Sequence, residues 1–302
     1  MADGSGWALA TISADAPVAC IEVAGRPYRL ATALPRVGHA PVSGLIDLFA
    51  DWPRAHAALS AIARAPDAAD IVPEGPRLAP LLYPGKILCA GANYFDHLAE
   101  MGMPGAKKQD QRLFFFMKPP RNAVVGEGAS VRMPIGTNAF DWEVELAAVI
   151  GTRARNVSVD AALAHVAAYT VAIDFSARDH NRAPETFYRL DWVAGKANDT
   201  CCPLGPRLVP AQAIADPQDV GLKLWVNGAL KQDGRSTDMI FTLAEQIATA
   251  SRIMTLDPGD VLLTGTPAGV GAPKKTFLAV GDRVDAEIEH VGRLSVTIQP
   301  PG

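Results

Sequence analysis

The stretches DWEVEL at residues 141–146 and YTVAIDFS at residues 169–176 decide how this chain can fold and act. Successive side chains of a strand point to opposite faces, so Glu143 and Glu145 share one face of the first strand. The second stretch alternates in the same way and predicts a half-buried strand with Asp174 on its polar side. If the two polar faces meet in a cavity, three carboxylates converge, and such a cluster needs a cation. An all-oxygen site of this kind suits Mg²⁺, Mn²⁺ or Ca²⁺ better than zinc.

The same alternation has a simpler interpretation, in which both strands turn a polar face to water. For Glu143 and Glu145 this is the usual interpretation, because surface strands alternate in this way. Asp174 fits it less well. Aspartate is depleted in strands, and here it lies inside an apolar run where serine or threonine would serve an exposed face equally well. The residues alone leave both interpretations open.

The composition is that of an ordinary globular enzyme. The chain has 302 residues, of which 49% are hydrophobic and 20% charged, enough for one large domain and a smaller one. A net charge of −4 argues against nucleic acid or an anionic membrane surface as a partner. The chain does not begin with a basic segment and an apolar run, and no stretch of about 18 apolar residues occurs, so we expect a cytoplasmic protein. Its four cysteines lack disulfide density and C-x-x-C spacing, which predicts reduced thiols.

The order of apolar runs and breakers predicts two parts of unequal size. Residues 6–32 are typical of a strand hairpin. Prolines interrupt every regular pattern between residues 65 and 85, which makes this passage the best place for a domain boundary. We therefore predict a small N-terminal α+β domain over 1–79 and a larger, β-rich domain over 80–302. Helices are predicted at 43–64, 93–101, 158–168 and 241–254.

A second chemical feature lies in GANYFDHLAEMG at residues 91–102. In a helix, His97 and Glu100 are neighbours at i, i+3 spacing, so the carboxylate can orient the imidazole and stabilise its cation. A histidine held in this way can act as a general base for water near neutral pH. The alternative is a solvated helix face with a chance ion pair, which the spacing alone does not exclude.

The glycine-rich stretch at 265–276 is superficially similar to a phosphate-binding loop. That motif would need glycine at the position of Lys274, and Pro273 would interrupt the helix that follows. Nucleotide binding is therefore not expected. Cys201 and Cys202 have no histidine close in sequence, so a catalytic thiol is not expected either.

Several motifs together make the chain similar to the fumarylacetoacetate hydrolase family. They occur in order between about residue 80 and residue 298: KILCAGANYFDHLAE, DWEVELAAVIG, YTVAIDFSARD, VNGALKQDG, DMIF and LLTGTPAGVG. The resemblance implies a mixed α+β, β-rich fold, in which a rolled mixed β-sandwich carries a small N-terminal α+β extension. Members of the family are commonly homodimers, so the resemblance also implies a homodimer.

The resemblance assigns roles to individual residues of this sequence. It implies that Glu143, Glu145 and Asp174 bind Mg²⁺ or Mn²⁺, and that His97 and Glu100 form a water-activating dyad. It also implies contacts to a bound oxo-acid from the remaining predicted site residues: Lys196, which we group with the catalytic residues, and Thr266, Asn181, Lys118 and Arg178.

Two features depart from the family pattern. Where the family has Ser-Ala-Arg-Asp, one further residue and then Gln, this chain has His180 and Asn181, so the contact usually made by Gln is shortened or lost. The segment 103–112 is longer and less apolar than its counterparts and resembles a mobile lid. Its basic residues are either contacts for an acidic substrate tail or solvated side chains of a loop: Lys107, Lys108 and Arg112.

The implied activity is hydrolysis of a C–C bond in a 2,4-diketo acid, such as an acylpyruvate or fumarylpyruvate. Water deprotonated by His97 would attack the distal carbonyl, while the metal would stabilise the departing enolate. Three carboxylates and one dication leave one net negative charge, so Lys196 would supply the positive charge that an anionic substrate needs. The alternatives are a decarboxylase or enol–keto isomerase of an oxo-diacid on the same scaffold, and an inactive, metal-bound binding protein.

Overall fold

The computed structural model describes residues 6–302, so the first five residues of the predicted 1–79 domain lie outside the described part. The strands are β1 (Trp7–Ile12), β2 (Val18–Val23), β3 (Arg26–Arg29), β4 (Arg77–Leu78), β5 (Ile87–Ala90), β6 (Phe115–Lys118), β7 (Val124–Val125), β8 (Ser130–Arg132), β9 (Phe140–Asp141), β10 (Val144–Ile150), β11 (Val166–Ile173), β12 (Ser176–Ala177), β13 (Cys202–Pro210), β14 (Gly221–Val226), β15 (Ala229–Arg235), β16 (Val261–Leu263), β17 (Arg283–Ile288) and β18 (Gly292–Gln299). The α-helices are α1 (Leu30–Arg36), α2 (Trp52–Arg64), α3 (Phe95–Glu100), α4 (Val159–Ala162), α5 (Arg178–Asn181), α6 (Trp192–Lys196) and α7 (Leu243–Ile253).

Within residues 6–302, the strands form one large mixed sheet, one smaller sheet and a two-stranded pair of β9 and β12. The large sheet has the order β3-β2-β1-β13-β11-β10-β16-β5-β6, with β4 beside β1 and β7 beside β13. The smaller sheet has the order β15-β14-β17-β18-β8. The predicted fold class, mixed α+β and rich in strands, is confirmed.

Strands β10 and β11 cross the middle of the large sheet, and every residue of both is buried. On one face, Leu146 and Ala148 belong to the core that also includes β14 and β17. On the other face, Ala147 and Val149 belong to a second core that includes α1 and α2. The prediction that the second strand is half-buried was therefore wrong, and so was the alternative in which both strands turn a polar face to water, because both faces are covered. Polar residues on these strands consequently lie in the interior.

The N-terminal hairpin extends the large sheet. β1 pairs with β2 and, through Leu9 and Leu208, with β13. The hairpin predicted over 6–32 is present, but the chain turns into α1 before its predicted end. Strand β4, inside the proline-rich passage, also pairs with β1. We retain the division into 1–79 and 80–302 as a proposal.

The helix predicted over 43–64 consists of two segments. A 3₁₀-helix covers Leu45–Asp51, and α2 follows directly. Pro53 lies in the first turn of α2, where its missing N–H has no intrahelical partner to lose. The side chain of Asp51 accepts a hydrogen bond from the amide of Arg54 at 3.3 Å and so caps the new helix. The proline therefore sets the position at which the α-helix starts.

The other predicted helices agree with the structure to different degrees. α3 and α7 lie within the ranges predicted at 93–101 and 241–254. The helix predicted over 158–168 ends early, because β11 begins at Val166. That strand is buried on both faces, so its continuous apolar run does not distinguish strand from helix. Among the described residues, no helix has both the length and the apolar character that a membrane span requires.

Candidate metal centre and active site

Three buried carboxylates meet where β10 begins and β11 ends. The two strands pair antiparallel with Glu145 opposite Ala172, and the amide of Asp174 donates to the carbonyl of Glu143 at 2.8 Å. Glu143 therefore faces Asp174 across the ladder, and Glu145 follows two residues later on the same face. One side-chain oxygen from each of the three carboxylates lies within 4.8 Å of the other two. The fold thus brings together the three residues that the sequence suggested as metal ligands.

Three basic side chains surround this carboxylate cluster. Lys196 Nζ lies 2.6 Å from Glu143 Oε2 and 2.7 Å from Asp174 Oδ2. Lys118 Nζ lies 2.6 Å from Asp174 Oδ1. Arg178 Nη2 lies 2.6 Å from Glu143 Oε1. Burial alone would lower the pKa of Lys118, but the nearby acidic groups, of which Asp174 acts most strongly, together outweigh burial and raise it.

Glu145 differs from the other two carboxylates, because no ion pair joins it to a lysine or arginine of the described chain. Burial, together with the charges of Asp174 and Glu143, raises the pKa of Glu145 well above its usual range. Glu143 shifts in the opposite direction. Its burial favours the neutral form, but the neighbouring positive charges, chiefly Lys196 and then Arg178, together outweigh burial and lower the pKa of Glu143. A positive charge is therefore missing chiefly at Glu145.

The donor set fits a hard divalent cation. Glu143, Glu145 and Asp174 provide only carboxylate oxygens, the ligands that Mg²⁺ and Mn²⁺ prefer. A cation held by these three would also satisfy the buried carboxylate that lacks a basic partner. We therefore take this cluster as the candidate metal centre.

His97 and Glu100 contact each other on α3. His97 Nδ1 lies 2.8 Å from Glu100 Oε1, and the His97 side chain is buried. A carboxylate at Nδ1 favours the tautomer with an unprotonated Nε2, which is the form a general base requires. Asp96 Oδ1 accepts a hydrogen bond from the amide of His97 at 2.7 Å. The amide of Gly269 donates to Glu100 Oε2 at 2.9 Å, so a backbone amide of another part of the chain holds Glu100.

The 265–272 loop uses its backbone amides to hold carboxylates. The donors and their acceptors are Gly265 to Glu145, Ala268 to Asp96, Gly269 and Val270 to Glu100, and Gly271 and Ala272 to Asp141. Asp141 also accepts a hydrogen bond from Arg178 Nε at 2.9 Å. The stretch that is similar to a phosphate loop in sequence therefore binds the protein's own anions. It connects a candidate metal ligand, the His97 and Glu100 pair, and the arginine of the cavity wall.

A cavity of about 180 Å³ opens beside the carboxylates. Its polar lining comes from predicted site residues: His97, Glu143, Glu145, Arg178, Asn181, Lys196 and Thr266. Its apolar lining is mainly aromatic or sulfur-containing: Met101, Met103, Phe114, Phe116 and Trp192. A larger cleft of about 840 Å³ elsewhere on the surface contains none of the predicted site residues. We therefore place the candidate active site in the smaller cavity.

Lys118 does not line this cavity. Its side chain is fully buried, and its ammonium donates to Asp174 Oδ1 at 2.6 Å, to the carbonyl of Phe175 at 3.1 Å and to the carbonyl of Lys196 at 2.5 Å. All three N–H groups are therefore used by the protein. We propose that Lys118 positions Asp174, in place of the substrate contact expected from the sequence.

Thr266 lies in the cavity wall, but its hydroxyl is already engaged. Its Oγ1 donates to the carbonyl of Val144 at 2.8 Å and accepts a hydrogen bond from Gln232 Nε2 at 2.8 Å. Gln232 Oε1 accepts the amide of Val144 at 2.9 Å. Gln232 is not among the site residues predicted from the sequence, although it lies in the VNGALKQDG motif. This buried amide fixes the start of β10, between the two glutamates of the metal centre.

The segment 103–112 is tethered away from the carboxylates. Met103 lines the cavity, whereas the basic side chains of the segment do not. Lys108 Nζ lies 2.7 Å from Glu245 Oε1 and 5.4 Å from the ring centroid of Phe241. The segment is thus joined to α7 by an ion pair at the protein surface. Its role as a mobile lid remains a prediction.

Comparison with known proteins adds a family match and relatives. The family described as fumarylacetoacetate (FAA) hydrolase C-terminal matches residues 86–299. A protein of Xenopus laevis named oxaloacetate tautomerase, mitochondrial, is 42% identical over 220 residues, covering 72% of this chain and 66% of that relative. The match therefore spans just under two thirds of the length of that relative.

Two solved structures are similar in fold. A fumarylacetoacetate hydrolase from psychrophilic Exiguobacterium antarcticum is 30% identical, with a TM-score of 0.78 and coverage of 97% of this chain and 99% of that chain. A fumarylpyruvate hydrolase from Pseudomonas aeruginosa, in complex with Mn²⁺ and pyruvate, is 32% identical, with a TM-score of 0.65. The second match covers 72% of this chain and 90% of that chain.

Proposed function

The chain belongs to the fumarylacetoacetate hydrolase family, and on this basis we propose that it cleaves a carbon–carbon bond in a 2,4-diketo acid by metal-dependent hydrolysis. The observation that carries the proposal is one shared cavity. His97, backed by Glu100, lines the same cavity as the candidate metal ligands Glu143 and Glu145. A base for water and a site for a divalent cation would thus act on one small bound molecule.

Glu143, Glu145 and Asp174 would hold the metal, which we propose to be Mg²⁺ or Mn²⁺. When bound, the metal would act as a Lewis acid toward substrate oxygens and favour formation of an enolate. The fumarylpyruvate hydrolase of similar fold contains Mn²⁺ and pyruvate, which supports this choice of cation and ligand class.

His97 would begin the reaction by accepting a proton from water at Nε2. The resulting hydroxide oxygen would attack the distal carbonyl carbon. The bond between this carbon and the carbon that lies between the two carbonyl groups would then break. The electron pair would leave with a pyruvate-type enolate, which would take up the proton held by His97, and the other fragment would leave as a carboxylic acid. Glu100 would hold the imidazole in place and stabilise its charged form, and a base of this kind is worth roughly 10²–10⁴-fold in rate.

The cavity also offers positive charge to an anionic substrate. Lys196 and Arg178 contribute a lysine and an arginine to the polar lining, which also includes Asn181. Each basic side chain pairs with a carboxylate of the candidate metal centre. A divalent cation at that centre would take over part of this pairing and free positive charge for the substrate.

A second candidate is keto–enol tautomerisation of oxaloacetate. The Xenopus relative with 42% identity is named as an oxaloacetate tautomerase. The cavity of about 180 Å³ brings His97 to the candidate metal ligands Glu143 and Glu145, which this reaction would also need. In this reaction His97 would move a proton between carbon and oxygen of the substrate, and no water would be consumed.

Product analysis separates these candidates. The protein loaded with Mn²⁺ or Mg²⁺ is incubated with acetylpyruvate, fumarylpyruvate and oxaloacetate, and the products are identified by mass and by enol absorbance. Cleavage with gain of water supports the hydrolase, and faster enol–keto relaxation without a change in mass supports the tautomerase. Loss of CO₂ indicates the decarboxylase. No reaction by a protein that retains metal indicates a binding protein. A His97→Gln variant controls for reaction caused by the metal alone.

Location and assembly also remain proposals. We keep the cytoplasmic location and the homodimer that were expected from the sequence. The name of the Xenopus relative places that protein in mitochondria. Fractionation of cells and light scattering of the purified protein test the two expectations directly.

A further inference from the structure

Asp174 accepts hydrogen bonds from two lysines, one at each carboxylate oxygen. Lys118 Nζ lies 2.6 Å from Oδ1, and Lys196 Nζ lies 2.7 Å from Oδ2. Both side chains are almost completely buried. Two cations on one carboxylate would be redundant if both served only to neutralise it. The surroundings of the two ammonium groups differ, which indicates that the two lysines have different roles.

The ammonium of Lys118 is held in one position by its hydrogen bonds. Besides Asp174, it donates to the carbonyls of Phe175 and Lys196, at 3.1 and 2.5 Å. These bonds use all three of its N–H groups and tie the end of β11 to the last residue of α6. Lys118 is therefore fixed, whatever binds in the cavity.

The ammonium of Lys196 is placed differently. It contacts two of the three candidate metal ligands, Glu143 at 2.6 Å and Asp174 at 2.7 Å. Its residue also lines the cavity, and Nζ lies 4.9 Å from the centroid of the Phe116 ring. Lys196 thus stands between the carboxylates and the space that a substrate would occupy.

A divalent cation and the Lys196 ammonium would compete for the same oxygens. Both need the carboxylates of Glu143 and Asp174, and two positive charges at such short range repel each other strongly. We propose that Lys196 serves as the counter-ion of these carboxylates when no metal is bound, and that metal binding displaces it toward the cavity, where it pairs with the anionic substrate. Metal and substrate anion then favour each other's binding through the side chain of Lys196. The proposal rests on the metal centre of the proposed function.

The two lysines should therefore respond oppositely to substitution. Lys196→Met removes the competitor, so Mn²⁺ should bind about tenfold more tightly, within the usual range of coupling between two sites. Lys118→Met removes the group that positions a metal ligand, so Mn²⁺ should bind about tenfold more weakly. Loss of a residue that holds a metal ligand typically lowers metal affinity by about 10- to 100-fold, and we expect the lower end of this range. A pure charge effect would tighten binding in both variants, because each loses one positive charge.

Calorimetric titration of Mn²⁺ into the full-length protein, with and without oxalate as a small dianion, tests the proposal. In the wild-type protein oxalate should raise the affinity for Mn²⁺, and in Lys196→Met this enhancement should shrink by about fivefold or more. The enhancement that remains in the variant measures direct contact between oxalate and the metal. Lys196→Gln, which keeps a polar side chain without the charge, should behave like Lys196→Met.

The outcomes distinguish this proposal from the proposed function. Equal Mn²⁺ affinity in wild type, Lys196→Met and Lys196→Gln would overturn the proposal, and so would equal tightening in the Lys196 and Lys118 variants. Unchanged coupling to oxalate in Lys196→Met would overturn it as well.

Absence of Mn²⁺ binding in the wild-type protein, or unchanged binding in Glu145→Gln, would instead overturn the metal centre itself. If Lys118→Met does not fold, the two Lys196 variants still decide the matter.

Discussion

The side chain of Asn181 lies directly against the α-carbon of Gly195: a methyl group at Gly195 would come within 1.5 Å of the Asn181 amide oxygen. The backbone of Gly195 is not in the left-handed region, so its conformation does not require glycine. What requires glycine is the space for Asn181, whose Oδ1 is buried without a hydrogen-bond partner among the described residues. An unpartnered polar atom in a cavity wall is suited to a ligand. Gly195 thus makes room for a residue that departs from the family pattern.

We predict that Gly195→Ala weakens substrate binding without affecting the metal. The new methyl group would displace Asn181, and kcat/KM should fall by up to about a hundredfold, the effect expected for a shift of about 1 Å in a positioning group. The loss should be mainly in KM. Steady-state kinetics and Mn²⁺ titration measure the two quantities. Ala194→Ser on the same helix is the control, and an unchanged KM in Gly195→Ala would refute a role for Asn181 in binding.

We predict that affinity for Mn²⁺ falls as the pH is lowered. The raised pKa of Glu145 means that this carboxyl holds its proton to a higher pH than usual, and it must lose the proton to bind a metal. Below that pKa the affinity should fall about tenfold per pH unit, and above it the affinity should level off. Calorimetry in two buffers of different ionisation enthalpy should detect a proton released per metal bound. Affinity that stays constant from about pH 5 to about pH 8 would contradict this assignment.

We predict that His97 and Glu100 act as one unit. His97→Gln and Glu100→Gln should each lower kcat by about two to four orders of magnitude, and the double variant should be little worse than either. Glutamine at position 100 retains an oxygen that can accept the amide of Gly269, so the loop should stay in place. Mn²⁺ affinity should not change. Multiplicative losses in the double variant, or near wild-type activity in His97→Gln, would show that the pair is not the catalytic base.

We predict that ligand binding orders the segment 103–112. Oxalate with Mg²⁺ should slow hydrogen exchange across residues 101–113, because Met103 lines the cavity that the ligand fills. The β14–β15 hairpin provides an internal control. Glu245→Gln keeps the capping partner of α7 but removes the charge opposite Lys108, so exchange in this segment should rise in the free protein. Equal exchange with and without saturating oxalate would identify the segment as a solvated loop.

That Glu143 and Glu145 share a face could be predicted from the sequence because strand geometry is regular, whereas their meeting with Asp174 was implied only by the resemblance to the family. Glu143 and Glu145 are two residues apart, so their side chains must share a face wherever the strand lies. His97 and Glu100 are related in the same way by the helical repeat. In both cases a short-range rule determines which side chains are neighbours. The rule does not say what covers them, so burial of β10 and β11 on both faces could not be foreseen.

The rest of the site depends on contacts between distant parts of the chain. Lys118 and Asp174 are 56 residues apart, and the two amide groups that meet Asp141 are about 130 residues away from it. A lysine that supports a metal ligand and a lysine that binds substrate have the same sequence pattern. Only the distance of each lysine from the cavity distinguishes the two roles, and that distance is a property of the folded chain.

The carboxylates of the site are anchored by peptide groups of the 265–272 loop, and this has a consequence for how the protein can diverge. An amide hydrogen is supplied by every amino acid except proline, so most side-chain changes in the loop leave the anchoring intact. The three glycines of the loop are exceptions: a Cβ at Gly269 or Gly271 would lie 2.1 or 1.9 Å from a backbone oxygen, and Gly265 has a left-handed φ of +98°. Ala268 and Ala272 are only partly buried and are not restricted in this way. Mutations at these two positions can therefore accumulate and alter the surroundings of the site, while the reactive groups keep their inherited arrangement.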